Sequence, residues 1–124
     1  MSKFNHNNPV VSVITPTFNS SKFILDTINS VKEQTYLNWE MIIVDDCSND
    51  NTVEIIENEV ENDERINLIK LTKNVGSAVA RNTAIEKARG RFIAFLDSDD
   101  MWTKDKLDLQ VEFMLKNDLA FSFT

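Results

Sequence analysis

The sequence is poor in the residues that mark secreted, membrane-spanning or dinucleotide-binding proteins. Cys47 is the single cysteine, so no disulfide can form within the chain, and a reducing, cytoplasmic compartment is expected. Only Gly76 and Gly90 are glycines, which excludes the glycine-rich turn that a dinucleotide-binding fold places after its first strand. The first 30 residues show no signal-peptide pattern, and no apolar run approaches the roughly 20 residues that span a bilayer.

Clustered positive charge is also missing. The net charge is −7, and no run of lysine or arginine is long enough to follow a phosphate backbone, so a nucleic-acid partner is not expected. Hydrophobic residues make up 42% and charged residues 27% of the 124 positions, as in a folded single domain. An acidic protein of this kind can bind an anionic ligand only if a metal ion or a well-placed arginine neutralises it locally.

Short apolar runs alternate with longer segments of helical period along the chain. The predicted strands are residues 10–15, 41–44, 66–71, 91–96 and 119–123. The first predicted helix follows a cap at Ser20 or Ser21. The other predicted helices cover residues 51–61, 77–88 and 103–116. This alternation predicts an α/β fold with a mostly parallel sheet and helices on both faces. Residues 1–8 are polar and aperiodic and are interpreted as a flexible leader, followed by one region over residues 9–124.

Acidic residues follow two of the predicted strands. They are Asp45 and Asp46 after the second strand, and Asp97, Asp99 and Asp100 after the fourth. Because the carboxyl ends of parallel strands meet at one edge of a sheet, we expect these carboxylates to converge and to repel one another. Oxygen ligands suit a hard cation such as Mg²⁺ or Mn²⁺. The alternative is that these residues only form turns and helix caps.

Four blocks of the chain resemble the family 2 glycosyltransferases, which are inverting enzymes of the GT-A fold that use nucleotide-activated sugars. The blocks are Val11–Asn19, Trp39–Thr52, Asn74–Asn82 and Phe92–Asp100, the last with the Asp97-Ser98-Asp99 DXD motif. They occur in the family's order and extend over nearly all of the chain. The resemblance implies the Rossmann-like, nucleotide-sugar-binding half of a GT-A fold.

The resemblance also implies site residues. The implied nucleotide-sugar-binding residues are Pro16, Thr17, Phe18, Asn19, Asp46, Arg81, Asp97 and Ser98. Asp99 and Asp97 are the implied ligands of a divalent Mn or Mg ion that bridges the diphosphate. Asp46 would accept a hydrogen bond from the imide N–H of the base, so a UDP-sugar is the first expectation, with GDP- and dTDP-sugars as alternatives.

The implied function is transfer of a sugar from a nucleoside-diphosphate-sugar to a glycan or lipid-linked acceptor, with metal-assisted departure of the nucleoside diphosphate. Family members build polysaccharides and other polymers of the cell envelope. Their catalytic domain is about twice as long, and its inverting general base lies on the acceptor side, so we expect that base beyond Thr124 and assign no catalytic residue. The activity of this chain by itself stays open. The full-length protein would be cytoplasmic or lie at the cytoplasmic face of the membrane.

Three other classes of protein share part of this pattern. A non-catalytic nucleotide-sugar-binding module of the same fold is the main alternative, and detectable donor hydrolysis by the full-length protein would distinguish an enzyme from it. A haloacid-dehalogenase-like phosphatase would carry its Asp-X-Asp after the first strand. A response-regulator receiver would need a lysine after its last strand.

A smaller departure from the glycosyltransferase family pattern is Ala84, where a glycine is common.

We expect the chain to lack the acceptor half and therefore to expose apolar surface, with Phe121, Phe123 and parts of the segment from Trp102 to Leu107 as candidates. This surface should make the chain self-associate as its concentration rises. Light scattering over a wide concentration range checks the prediction, and a sharp monomer throughout would contradict it.

Overall fold

The computed structural model describes residues 9–117, which form a four-stranded sheet and four helices. The strands are β1 (Val11–Thr17), β2 (Trp39–Asp45), β3 (Ile66–Lys70) and β4 (Phe92–Phe95). The helices are α1 (Ile24–Lys32), α2 (Thr52–Asn62), α3 (Ser77–Lys87) and α4 (Lys106–Lys116). The strand order is β3-β2-β1-β4 and every pairing is parallel. The predicted α/β class is confirmed, while the leader and the predicted fifth strand lie outside the described residues.

Three helices cover one face of the sheet. Alternate strand residues, such as Val13 in β1 and Met41 in β2, point to this face and are fully buried. Ile28 of α1, Ile56 of α2 and Leu107 of α4 pack against them in one apolar cluster. Because β2 is buried on both sides along its whole length, its sequence is a nearly unbroken apolar run and does not alternate.

Helix α3 covers the opposite face. Its Ala80 and Ala84 are fully buried against Ile14, Ile42 and Val44 of the two central strands. Alanine carries a small side chain, so the helix backbone can approach the sheet closely. The methyl group of Ala84, at the position where a glycine is common, is accommodated in this interface.

Two details of the predicted helices are wrong. Helix α1 begins after Phe23, and no side-chain hydrogen bond caps it; the Ser20 hydroxyl bonds elsewhere. In α4, Leu107 is fully buried, so the exposed patch expected in parts of the segment from Trp102 to Leu107 does not include it. The exposed large apolar side chains in this part of the chain are those of Met101, Leu109, Phe113 and Leu115. Crossing a membrane would need a longer and more apolar helix than any found in residues 9–117.

A buried carboxylate holds the connection between α3 and β4 against the sheet through hydrogen bonds. Glu40 in β2 accepts hydrogen bonds from the Ser12 hydroxyl (2.6 Å) and from the backbone N–H of Arg89 (2.7 Å). The N–H of Gly90 donates in turn to the Ser12 hydroxyl at 2.8 Å. A Cβ atom at position 90 would lie 2.6 Å from the Ser12 backbone nitrogen and 2.8 Å from the Val11 carbonyl carbon. Only glycine therefore allows this approach.

Gly90→Ala should lower the free energy of unfolding by about 1–3 kcal/mol, because the methyl group meets backbone atoms that cannot move aside freely. Chemical denaturation measures the change. Gly90→Val should destabilise the chain further if crowding is the cause. Parent-like stability in both variants would contradict the close approach.

Candidate functional site

A cleft of about 420 Å³ lies at the carboxyl edge of the sheet. It is lined by Pro16, Thr17, Phe18, Asn19, Ser20, Phe23, Asp46, Ser77, Arg81, Asp97, Ser98 and Asp99. The loops after β1, β2 and β4 are adjacent there because β1 pairs with β2 on one side and with β4 on the other. The structure thus brings into one cleft all nine residues that the sequence singled out for nucleotide and metal binding.

The loops after β1 and β2 are joined by hydrogen bonds. The backbone N–H of Asn19 donates to the Ser48 hydroxyl at 2.8 Å, and the N–H of Asn49 donates to the Asn19 side-chain oxygen at 2.9 Å. Ser48 is held by the Asp45 carboxylate, which accepts from its N–H and from its hydroxyl. Asp45, one of the five acids expected at this edge, therefore shapes the loop and does not line the cleft.

Asp46 connects the β2 loop to the start of α3. Its carboxylate, in a residue only 4% exposed, accepts from the N–H groups of Val75 (2.7 Å) and Gly76 (2.8 Å). Gly76 has a φ of 97°, a left-handed conformation that glycine adopts without strain. Each carboxylate oxygen can accept two hydrogen bonds, so Asp46 keeps acceptor capacity for a ligand. The bonds also fix the position of the helix that carries Arg81.

The DXD turn carries a cluster of exposed acids. Ligand oxygens of Asp97, Asp99 and Asp100 all lie within 4.8 Å of one another. A guanidinium nitrogen of Arg81 is 3.5 Å from an Asp97 oxygen, which offsets part of the negative charge. Three close carboxylates with one cation nearby form an all-oxygen donor set that fits Mg²⁺ or Mn²⁺. Asp100 thus lies beside Asp97 and Asp99, the ligands that the family resemblance implied.

The polar groups of Ser98 contact segments near the start of the chain. Its hydroxyl oxygen lies 2.7 Å from that of Ser20, and its carbonyl accepts a 2.9 Å hydrogen bond from the Thr27 hydroxyl. The resemblance implied that Ser98 binds the nucleotide-sugar. The structure puts Ser98 in the lining of the cleft, but with its hydroxyl engaged by Ser20.

Sequence reasoning did not identify three residues of the lining, namely Ser20, Phe23 and Ser77. Ser77 is the first residue of α3, directly after Gly76, and its position at a helix start next to a strand end was a usable signal. Phe23 is 51% exposed, like Phe18 at 46%, and the two rings lie at the rim. No pattern in the sequence distinguishes an exposed phenylalanine from a buried one at this position.

The fold and the cleft define an α/β region of the GT-A glycosyltransferase type, and solved structures agree. TarS of S. aureus, crystallised with UDP-GlcNAc, superposes with a TM-score of 0.82 at 36% identity, over 87% of this chain and 32% of that one. The mannosyltransferase PcManGT from Pyrobaculum calidifontis, solved with GDP-Man and Mn²⁺, gives a TM-score of 0.80 at 30% identity, over 86% and 32% of the two chains.

The family model for glycosyl transferase family 2 matches residues 12–123, and the chain belongs to this family. It is 56% identical over 116 residues to TuaG of Bacillus subtilis (strain 168), named as a teichuronic acid biosynthesis glycosyltransferase. It is 47% identical over 115 residues to WfgD of Escherichia coli, named a UDP-Glc:alpha-D-GlcNAc-diphosphoundecaprenol beta-1,3-glucosyltransferase. The matches cover 94% and 92% of this chain but 46% and 44% of those relatives, so the chain spans a little under half their length.

Proposed function

We propose that the chain is the donor-binding part of an inverting glycosyltransferase that moves a sugar from a nucleoside-diphosphate-sugar, with UDP as the first candidate. The observation that carries the proposal is the single cleft in which Asp46, Arg81 and the DXD turn meet. A glycosyltransferase donor presents a base, a diphosphate and a sugar in a row, and the cleft offers separate groups for the first two.

Asp46 and the backbone of Pro16–Phe18 would hold the nucleobase. The Asp46 carboxylate is fixed by two backbone N–H groups and keeps acceptor sites. The imide N–H of uracil is a matching donor. A uracil nucleotide is supported by two similar proteins, TarS, solved with UDP-GlcNAc, and WfgD, named for UDP-Glc. PcManGT was solved with GDP-Man, so a guanine nucleotide is the alternative for the binding test.

The diphosphate would lie between Arg81 and the DXD turn. Asp99 and Asp97, with Asp100 beside them, would hold a divalent cation, and a relative of similar fold was solved with Mn²⁺. When bound, such a cation stabilises the negative charge that grows on the departing nucleoside diphosphate. Arg81 would contribute a second positive charge from α3, kept beside the turn by its ion pair with Asp97. These local charges would let an acidic chain bind an anionic donor.

The acceptor would be a glycan or a lipid-linked saccharide. WfgD is named for an acceptor on diphosphoundecaprenol, which supports a lipid-linked acceptor and a place at the cytoplasmic face of the membrane for the full-length protein. Inversion in one displacement needs a carboxylate that deprotonates the acceptor hydroxyl on the face opposite the leaving group. The acids of the cleft serve the donor, so we assign the base to the part of the relatives that this chain does not span.

Calorimetric titration with UDP should show binding that is strengthened by Mn²⁺. Asp99→Asn should weaken the Mn²⁺-dependent binding by at least about tenfold, since even outer-shell partners of a metal ion contribute 10–100-fold in affinity. Asp26→Asn is the matched control, because it removes the same charge from an exposed position of α1 outside the cleft. The proposal fails if a chain that circular dichroism shows to be folded binds none of UDP, GDP and dTDP.

A further inference from the structure

Ser98 is held from the side of α1, while the acids on either side of it face the solvent. Thr27 in α1 is fully buried, and its hydroxyl donates to the Ser98 carbonyl at 2.9 Å. Ser20, 8% exposed, has its hydroxyl oxygen 2.7 Å from that of Ser98. Both polar contacts reach Ser98 from segments more than 70 residues earlier in the chain, at sequence separations of 71 and 78. The side chain of Asp97, by contrast, is 58% exposed.

The Ser20 hydroxyl contacts two groups. Its oxygen lies 2.7 Å from the Ser98 hydroxyl oxygen, where either serine can donate, and 3.2 Å from the carbonyl oxygen of Phe18, to which it can donate. The Ser98 hydroxyl is therefore engaged by Ser20.

Ser20 is itself anchored through its backbone. Its N–H donates to the Thr52 hydroxyl at 2.9 Å, and that hydroxyl donates to the Asp50 carboxylate at 2.5 Å. Hydrogen bonds from Thr52 hold the pKa of Asp50 below the ordinary value of an aspartate, although desolvation opposes the shift. The chain of bonds from Asp50 through Thr52 and Ser20 to Ser98 thus connects the starts of α1 and α2 with the DXD turn.

The acids of the DXD turn need such support. Three carboxylates within 4.8 Å repel one another, and the repulsion favours conformations in which the turn opens and the oxygens separate. Within the turn, the backbone bond from the Asp100 N–H to the Asp97 carbonyl (3.1 Å) acts against opening. The bonds from Thr27 and Ser20 are neutral, come from buried or nearly buried groups and are not screened by salt, so they are suited to keeping the turn closed before a cation arrives.

We propose that Thr27 and Ser20 are positioning residues, which fix Ser98 so that the Asp97 and Asp99 carboxylates are preorganised for a divalent cation. The inference rests on the proposed donor site. It assigns neither residue a contact with the substrate: both would act on metal binding through Ser98. A purely structural role would change stability without changing the contribution of the metal ion to nucleotide binding.

Thr27→Val tests the proposal, because valine keeps the size and branching of threonine and removes the hydroxyl donor. We expect the Kd for UDP in Mn²⁺ to rise about tenfold, in the range typical of outer-shell partners, with the Kd in EDTA unchanged. Thr27→Ser keeps the hydroxyl and should restore the Mn²⁺ effect. Ser30→Ala is the matched control, because it removes a buried hydroxyl of α1 that bonds only within the helix, to the Thr27 carbonyl.

Measurements on the parent chain distinguish failure of the donor site from failure of the positioning role. If the parent shows no Mn²⁺-dependent binding of UDP, the proposed donor site fails. If the parent shows it and Thr27→Val retains the full Mn²⁺ effect, the positioning role is overturned while the donor site stands. An equal loss in Mn²⁺ and in EDTA, or the same loss in Ser30→Ala, also overturns it. Should thermal melting show that Thr27→Val does not fold, Ser20→Ala takes its place with the same expected loss and the same contradicting result.

Discussion

The parallel pairing of β1 with β2 on one side and with β4 on the other is the constraint on which the rest of the molecule depends. Parallel strands end at the same edge of a sheet, so three loops that are far apart in the sequence become neighbours there. The pairing requires crossover helices, and these bury both faces of the central strands. Removing any one of the three strands would leave the cleft without one of its walls.

Two opposing electrostatic effects act in this cleft, the attraction of a cation and the repulsion between carboxylates. The proposed cation site needs the carboxylates of Asp97 and Asp99 close together and exposed, yet closeness makes them repel. The groups that hold the loops of the cleft in place carry no net charge. Backbone amides donate to Asp46, and hydroxyl groups contact Ser98. Arg81 is the charged exception, and its ion pair with Asp97 is half exposed. A bound cation and diphosphate would complete a charge balance that the protein leaves open.

The positions of the strands along the chain could be predicted from the sequence, and the hydrogen bonds within and between the loops could not. Apolar runs give the strands, and the rule that ligands bind at the carboxyl edge converts positions such as Asp46 and Asp97 into neighbours. Ser20 shows the limit of this reasoning. A serine just before a helix is typical of an N-cap, but its hydroxyl is used by Ser98, 78 residues away. Such a bond depends on where the two loops lie relative to each other in space, and the periodicity of the sequence does not predict this.

The chain spans a little under half the length of the relatives it matches, so the proposed donor site is what can be tested with this chain alone. The most direct measurement is paramagnetic broadening of amide signals in the ¹⁵N-labelled chain on addition of UDP and Mn²⁺. We expect broadening that is strongest around Asp97–Asp99, extends to the Arg81 end of α3, and is weak at the Glu40 end of the sheet. Broadening centred elsewhere, or spread evenly over the surface, would contradict a metal-assisted nucleotide site in this cleft.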